Sequence, residues 1–119
     1  MITKQQILAA TNLPVEPVDV PEWGGTVHVR TMSGTERDAF EQTMIALKAG
    51  GGKGATDLSN IRARLAVRTL CDPDGTRLFA DDDAEALGQT SGRALDRVFG
   101  VAQKLNGMTA EDVKELVGN

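Results

Sequence analysis

The chain has 119 residues, a net charge of −4 and one cysteine, which fits a single domain over residues 1–119 in a reducing cytoplasm. The acidic balance argues against nucleic acid as a partner, because phosphate binding draws on a basic surface, and no apolar run approaches the roughly 20 residues that span a membrane. Hydrophobic residues make up 40% of the chain but aromatic residues only 3%, so the composition excludes a disordered chain and favours a core of packed helices.

The region before residue 32 contains a predicted β-hairpin. Valines alternate with polar residues on both sides of Gly24 and Gly25. This pattern predicts a hairpin near residues 17–31 with the two glycines as its turn. A two-residue turn fixes which residues lie opposite one another in the two strands. The predicted pairs are Val20 with Val29, and Asp19 with Arg30.

Helical patterns account for most of the remaining chain. Capping boxes at Thr3–Gln6 and Ser33–Glu36 mark two helix starts, and Asn106-Gly107 marks the end of the last long helix. Together with apolar residues at helical spacing, these signals predict a mainly α chain with a small β-hairpin, an α+β fold of about four to six helices. The expected helices span residues 4–10, from Ser33 to Ala49, 58–70, 81–87, 92–105, and a last turn or two through Val117.

The clearest amphipathic pattern lies in the predicted helix 92–105. Five apolar residues form a stripe that should face the core: Leu95, Val98, Phe99, Ala102 and Leu105. Arg93, Arg97 and Lys104 lie close together on the helical wheel beside this stripe. They form either an ordinary solvated face or a docking surface for an acidic helical partner. Trp23, near the hairpin turn, either covers the small core or anchors an interface.

Three features that suggest ligand sites have simpler interpretations. The glycine-rich stretch 50–56 lacks the Gly-Lys-Ser/Thr order of a phosphate-binding loop, and we expect a mobile loop there. The aspartates within 72–74 and 81–83 lack the spacing and the closing glutamate of a calcium loop, and they suit turns and helix caps. His28 has no serine or cysteine nearby in sequence to activate, and Cys71 is expected to be buried. We therefore predict no enzyme activity, no cofactor and no metal site.

Several stretches of the sequence together resemble a known protein family. The most specific are Pro-Glu-Trp-Gly-Gly at 21–25 and Ser-Gly-Thr-Glu-Arg-Asp-Ala-Phe at 33–40. Further matching stretches are 62–65, 74–79 and 95–99. In this order they resemble a tail assembly chaperone from a bacteriophage, or prophage, with a long non-contractile tail. The resemblance covers most of the chain between residues 3 and 107, and the glycine-rich stretch has no counterpart in it.

The resemblance implies a non-catalytic protein that acts in the host bacterial cytoplasm and is absent from the mature virion. Such chaperones coat the tape measure protein, the long helical chain that sets tail length, and keep it soluble while tail tube subunits assemble. A tape measure chain exposes long apolar stripes, and an unshielded stripe of this kind aggregates. Copies of the chaperone that contact one another head to tail would form an open helical array along such a stripe. Two alternatives stay open, a structural minor tail or connector protein of the virion and a small helical DNA-binding regulator.

The resemblance also implies a longer product, made by ribosomal slippage, whose extension recruits the tail tube protein. Slippage favours a heptanucleotide of the form X-XXY-YYZ. Val117-Gly118-Asn119 permits this pattern when it is encoded GTG-GGA-AAC, which reads G-GGA-AAC from the last base of the valine codon. We predict these codons and a −1 frame that stays open past Asn119. Sequencing the gene tests this, and a different Gly118 codon or an immediate −1 stop rules out slippage here.

Overall fold

A computed structural model describes residues 1–49 and 60–108. Within these ranges it contains five α-helices and a three-stranded antiparallel sheet, so the predicted α+β class is confirmed. The elements are α1 Lys4–Ala9, β1 Val15–Val20, β2 Gly25–Arg30, α2 Gly34–Ala49, α3 Ile61–Thr69, β3 Leu70–Cys71, α4 Ala84–Leu87 and α5 Gly92–Leu105. Short 3-10 turns lie at Pro21–Trp23 and Asp81–Asp83. The predicted loop at 50–56, the predicted helix start at Leu58 and the predicted turns through Val117 lie outside the described residues.

The hairpin lies where it was predicted, but its register differs. The predicted two-residue turn is wrong, and so are both residue pairs that it implied. The observed pairs include Glu16 with Val29, Asp19 with Thr26, and Val15 with Arg30. The partner of Val29 is therefore shifted by four residues, from Val20 to Glu16. Because this shift is even, the same side chains still face the core, and Val20 and Val29 are both fully buried.

The turn at residues 21–24 explains the observed register. Proline has a fixed φ that suits the first position of a tight turn, which Pro21 occupies. Gly24 closes the turn with a φ of +81°, and its N–H donates to the Pro21 carbonyl oxygen over 2.9 Å. Glycine adopts this left-handed conformation at little cost, so Pro21 and Gly24 together set the register. The alternating valines do not set it, because they are compatible with any even shift.

The sheet has a third strand that the sequence did not predict. β2 lies in the centre, with β1 at one edge and the two-residue β3 pairing on its other side. The predicted helix 58–70 was therefore one residue too long at its end, because α3 stops at Thr69 and Leu70 is extended. Pairing with β2 satisfies backbone groups of Leu70 and Cys71 while both side chains are buried. A strand of two residues is too short to produce a periodic sequence pattern.

Helix α5 packs its apolar stripe against α3 and the hairpin. The Ser91 hydroxyl accepts a hydrogen bond from the Ala94 N–H at 3.2 Å and so caps the start of the helix. The predicted core face is confirmed, with Leu95, Val98 and Ala102 buried and Phe99 and Leu105 partly buried against the same cluster. Phe40 and Met44 of α2 belong to this cluster too.

Two polar networks hold the connection between β2 and α2. The predicted capping box is present, because the Ser33 N–H donates to Glu36 at 2.8 Å and the Glu36 N–H donates to the Ser33 hydroxyl at 3.2 Å. The second carboxylate oxygen of Glu36 accepts from the buried Arg30 guanidinium at 2.5 Å. At the end of α5, the Asn106 side-chain oxygen accepts from the Met32 N–H at 2.7 Å. These contacts fix α2 and α5 relative to the sheet.

The first prediction from the fold concerns Leu95, which is only 5% exposed. We expect Leu95→Asp to unfold the protein, because burying an unpaired carboxylate costs several kcal/mol, which is comparable to the whole stability of a small domain. Thermal melting followed by circular dichroism measures the effect. Arg93→Asp is the matched control, since it places the same side chain at an exposed position of the same helix. Unchanged melting of Leu95→Asp would contradict the core placement.

The second prediction concerns acid stability. Burial raises the pKa of Glu36, but the Ser33 N–H and the Arg30 guanidinium outweigh it, so the pKa lies below its ordinary value of 4.5. A carboxylate with a lowered pKa in the folded state stabilises the protein above its unfolded-state pKa, and that stabilisation disappears as the pH falls through the folded-state pKa.

We therefore expect the free energy of unfolding to fall less in acid for Glu36→Gln than for the natural chain. Urea denaturation between about pH 6 and pH 3 measures this difference. Glu85→Gln, which removes an exposed carboxylate of α4, should follow the natural chain. An identical acid dependence of Glu36→Gln and the natural chain would show that this ion pair does not contribute.

Candidate functional site

An apolar groove lies between the hairpin turn and α4. Its volume is about 350 Å³, and its lining residues are Trp23, Val27, Leu70, Leu78, Phe79, Ala86, Leu87 and Thr90. Leu70 and Leu87 are buried, whereas Leu78 is 55% exposed. Apolar concave surfaces with few polar groups are typical of binding sites. The groove is therefore the candidate contact site for an apolar partner surface.

Trp23 forms part of the groove because of the four-residue turn. The 3-10 turn Pro21–Trp23 holds the indole against the core cluster, where it is partly buried. The indole Nε1 is buried, and within the described ranges it has no hydrogen-bond partner. Trp23 therefore covers part of the core and also lines an accessible groove, and its role as an interface anchor stays a prediction.

Leu78 and Phe79 differ from what the sequence predicted. The adjacent apolar residues Leu78 and Phe79, which follow the turn at 72–75, predict from the sequence alone that both anchor this segment to the core, and Phe79 does pack against it. The prediction is wrong for Leu78, which is exposed at the groove. The backbone here is held beside β3, because Arg77 forms a bridge with Cys71 and the Leu78 N–H donates to the Leu70 carbonyl oxygen at 3.1 Å, and the Leu78 side chain lies at the groove.

The predicted basic residues of α5 form an exposed stripe. We define the basic stripe as Arg93, Arg97, Gly100 and Lys104, which recur at helical spacing on the polar side of α5 and are all exposed. A Cβ placed on Gly100 would have no atom within 4 Å, so the middle of the stripe is open. Arg93 and Lys104 have no ion-pair partner within the described part of the chain.

Arg97 links the basic stripe to the hairpin turn. Its guanidinium donates to both carboxylate oxygens of Glu22, at 3.0 and 3.3 Å. A backbone hydrogen bond lowers the pKa of Glu22, and Arg97 lowers it further, so this carboxylate is ionised at neutral pH. The structure therefore places Arg97 beside the turn that carries Trp23, whereas Lys104 lies roughly 10 Å further along the helix.

The structure also locates the residues that were weighed as catalytic or metal-binding. Cys71 is buried as predicted, and burial raises the pKa of its thiol, which keeps it protonated. Among residues 1–49 and 60–108, no three His, Cys, Asp or Glu side chains lie close enough together to hold a metal ion. Every helix in these ranges is either too short or too polar to span a bilayer.

The N-terminal segment exposes a second apolar surface. The predicted capping box of α1 is present, with reciprocal hydrogen bonds between Thr3 and Gln6. None of the residues of α1 is buried. Ile2, Ile7 and Leu8 are 65%, 56% and 67% exposed. The segment is therefore an exposed helix whose apolar side chains are not covered by the rest of the described chain.

Comparison with known proteins identifies related chains. A family model described as "Phage tail assembly chaperone" matches residues 4–116. Among solved structures, the tail assembly chaperone of bacteriophage HK97 has the same fold, with a TM-score of 0.58 and 24% sequence identity. The match covers 85% of this chain and 95% of that one. A search of curated proteins found no match.

Proposed function

The chain belongs to the phage tail assembly chaperone family, and we propose that it binds the tape measure protein and keeps it soluble while tail tube subunits assemble. The observation that carries this proposal is the family match over residues 4–116. The family consists of assembly chaperones, which agrees with the prediction that the chain is not an enzyme. It also favours a chaperone over a DNA-binding regulator or a structural protein of the virion.

The basic stripe, together with Trp23 in the turn beside Arg97, is the proposed docking surface for a helix of the tape measure protein. Although the whole chain carries a net charge of −4, this side of α5 is basic and would attract an acidic helix face. The open position at Gly100 allows a partner backbone to approach. Arginine and tryptophan are the residue types that most often dominate binding energy, and Arg97 lies next to the turn that carries Trp23.

Because the tape measure protein is long, many copies of the chaperone would be needed to cover it. We propose that many copies associate head to tail into an open helical array, so that successive basic stripes follow the tape measure protein. We further propose that a longer frameshifted form recruits the tail tube protein. The place of action would be the host bacterial cytoplasm, and the chaperone would be absent from the mature virion.

Co-expression tests the proposed function. The tape measure protein of the same phage should be more soluble when this chain is present, because bound copies of the chaperone keep its apolar stripes from contacting one another. Arg93→Glu with Arg97→Glu reverses the charge of the stripe and should reduce the gain in soluble yield. Arg62→Glu is the control, since Arg62 is an exposed arginine on α3 whose partner Asp96 is exposed too. The soluble fraction in matched expressions is the measurement.

The possible results test the proposed chaperone function and the proposed docking surface separately. Equal insolubility of the tape measure protein with and without this chain would contradict the chaperone function. Full rescue by the double arginine variant would retain the function but place the docking surface elsewhere. Detection of the chain by mass spectrometry as a stoichiometric component of purified virions would favour the structural-protein alternative.

A further inference from the structure

The end of α5 carries a pair of residues that is chemically reactive in proteins. Asn106 is the only asparagine of the chain that a glycine follows. The glycine nitrogen in such a pair can attack the side-chain amide carbon of the asparagine, because glycine has no side chain to obstruct the approach. Leu13 and Ile61, which follow Asn12 and Asn60, hinder the same attack. We propose that Asn106 is a deamidation site, that the contact between α5 and α2 protects it, and that its conversion weakens this contact irreversibly.

The reaction consumes one water molecule and releases one molecule of ammonia. The Gly107 backbone nitrogen loses its proton to solvent hydroxide and forms a bond to Cγ of Asn106. The bond between Cγ and the side-chain nitrogen breaks, and that nitrogen takes up a proton and leaves as ammonia. Water then opens the resulting succinimide ring at either carbonyl, which gives aspartate or its isomer with the backbone routed through the side chain. Because nothing is oxidised or reduced, water is the only co-reactant.

In the folded chain the groups that would react are held in other contacts. The Asn106 side-chain oxygen accepts from the Met32 N–H at 2.7 Å, and its side-chain nitrogen donates to the Ala102 carbonyl oxygen at 2.8 Å. The Gly107 N–H, which must lose its proton, donates to the Lys104 carbonyl oxygen at 3.2 Å. The ψ of Asn106 is 5°, which places the Gly107 nitrogen beside the Asn106 backbone nitrogen rather than beside Cβ. Ring closure therefore requires this end of α5 to open.

The protecting contact joins the end of α5 to the start of α2. Met32 lies two residues before α2, and the Arg37 guanidinium, near the start of that helix, donates to the Asn106 backbone carbonyl oxygen at 2.8 Å. An opening that separates the start of α2 from α5 would break this bond together with the one to Met32, and would free the Asn106 side chain. Local openings of this kind need less free energy than global unfolding. The rate of deamidation would therefore measure how often this contact opens.

Aspartate at this position would not restore the original contact. An oxygen would replace the nitrogen that donates to Ala102, so two acceptor oxygens would face one another. Asn106 is also the C-cap of α5, where the helix dipole disfavours a negative charge. The nearby Arg37 guanidinium offsets part of this cost, so we expect a weakened contact in a chain that stays folded. Because the ammonia is lost, closing the contact again does not reverse the change.

Deamidation of the purified chain is the first test. The natural chain is kept at mildly alkaline pH with and without guanidinium chloride, and mass spectrometry of its peptides locates each deamidated residue. Asn106 should react at least about tenfold more slowly in the folded chain, because opening limits the reaction. In denaturant it should react faster than Asn12 and Asn60. Equal rates with and without denaturant would overturn the protection, and an Asn106 that stays intact in denaturant would overturn the site.

Loosening the contact from the side of α2 is the second test. Arg37→Gln removes the bond to the Asn106 backbone oxygen and should raise the deamidation rate of the folded chain about fivefold or more. Glu41→Gln is the matched control, because it breaks the 3.2 Å ion pair between Arg37 and Glu41 but leaves the bond to Asn106 in place. Thermal melting of both variants shows that the chain is folded during the assay. Equal rates for the two variants would overturn the role of this contact.

The product of the reaction is the third test. Asn106→Asp should lower the melting temperature by about 3 °C or more and should speed hydrogen exchange of the Met32 N–H. Asn12→Asp is the control, since it makes the same chemical change at an exposed asparagine and should melt like the natural chain. Unchanged melting and exchange in Asn106→Asp would overturn the weakening. None of these experiments contains tape measure protein, so their results are independent of the proposed function.

Discussion

The packing of the apolar face of α5 is the contact on which both the core and the candidate site depend. Leu95, Val98 and Ala102 are buried between α3 and the hairpin, so the rotation of the helix about its axis is fixed. That rotation leaves the opposite side of α5 in solvent and determines which arginines are exposed. The Asn106 side chain then joins the end of α5 to Met32, before α2. One amphipathic helix therefore orients the core, the basic stripe and the start of α2.

The sequence predicted those features of the fold that depend on local periodicity. Helical spacing identified the buried stripe of α5, and valine alternation identified which hairpin side chains face inwards. The hairpin register was not predictable in the same way, because alternation has a period of two and permits any even shift. Pro21 and Gly24 decide it, and their turn moves the partner of Val29 from Val20 to Glu16. The two-residue strand β3 gave no sequence signal, because alternation has a period of two and two residues are too few to show a repeat.

The candidate site likewise combines features that local sequence patterns predict with features that only tertiary packing creates. Arg93 and Arg97 were identified from the sequence because exposure on a helix follows its period. The contact between Arg97 and Glu22 has no sequence signal, because the two residues are 75 positions apart and meet only after the hairpin has packed on α5. The groove was not predicted either, since its lining residues come from the hairpin, β3, residues 78–79 and α4, which meet only in the folded chain. Tertiary packing, rather than any motif, creates both features.

The length of α1 has a further consequence for the proposed array. Isolated helices shorter than about 12–15 residues are marginally stable in water, and α1 has only six residues with one capping box. A contact that uses α1 would therefore have to stabilise the helix as well, and the entropy lost in that ordering reduces the affinity. Contacts of this kind form and dissociate readily, while repetition along a long client increases their combined strength. Weak individual contacts that are strengthened by repetition would suit the proposed function, in which the chaperone covers the tape measure protein and leaves it as the tail tube forms.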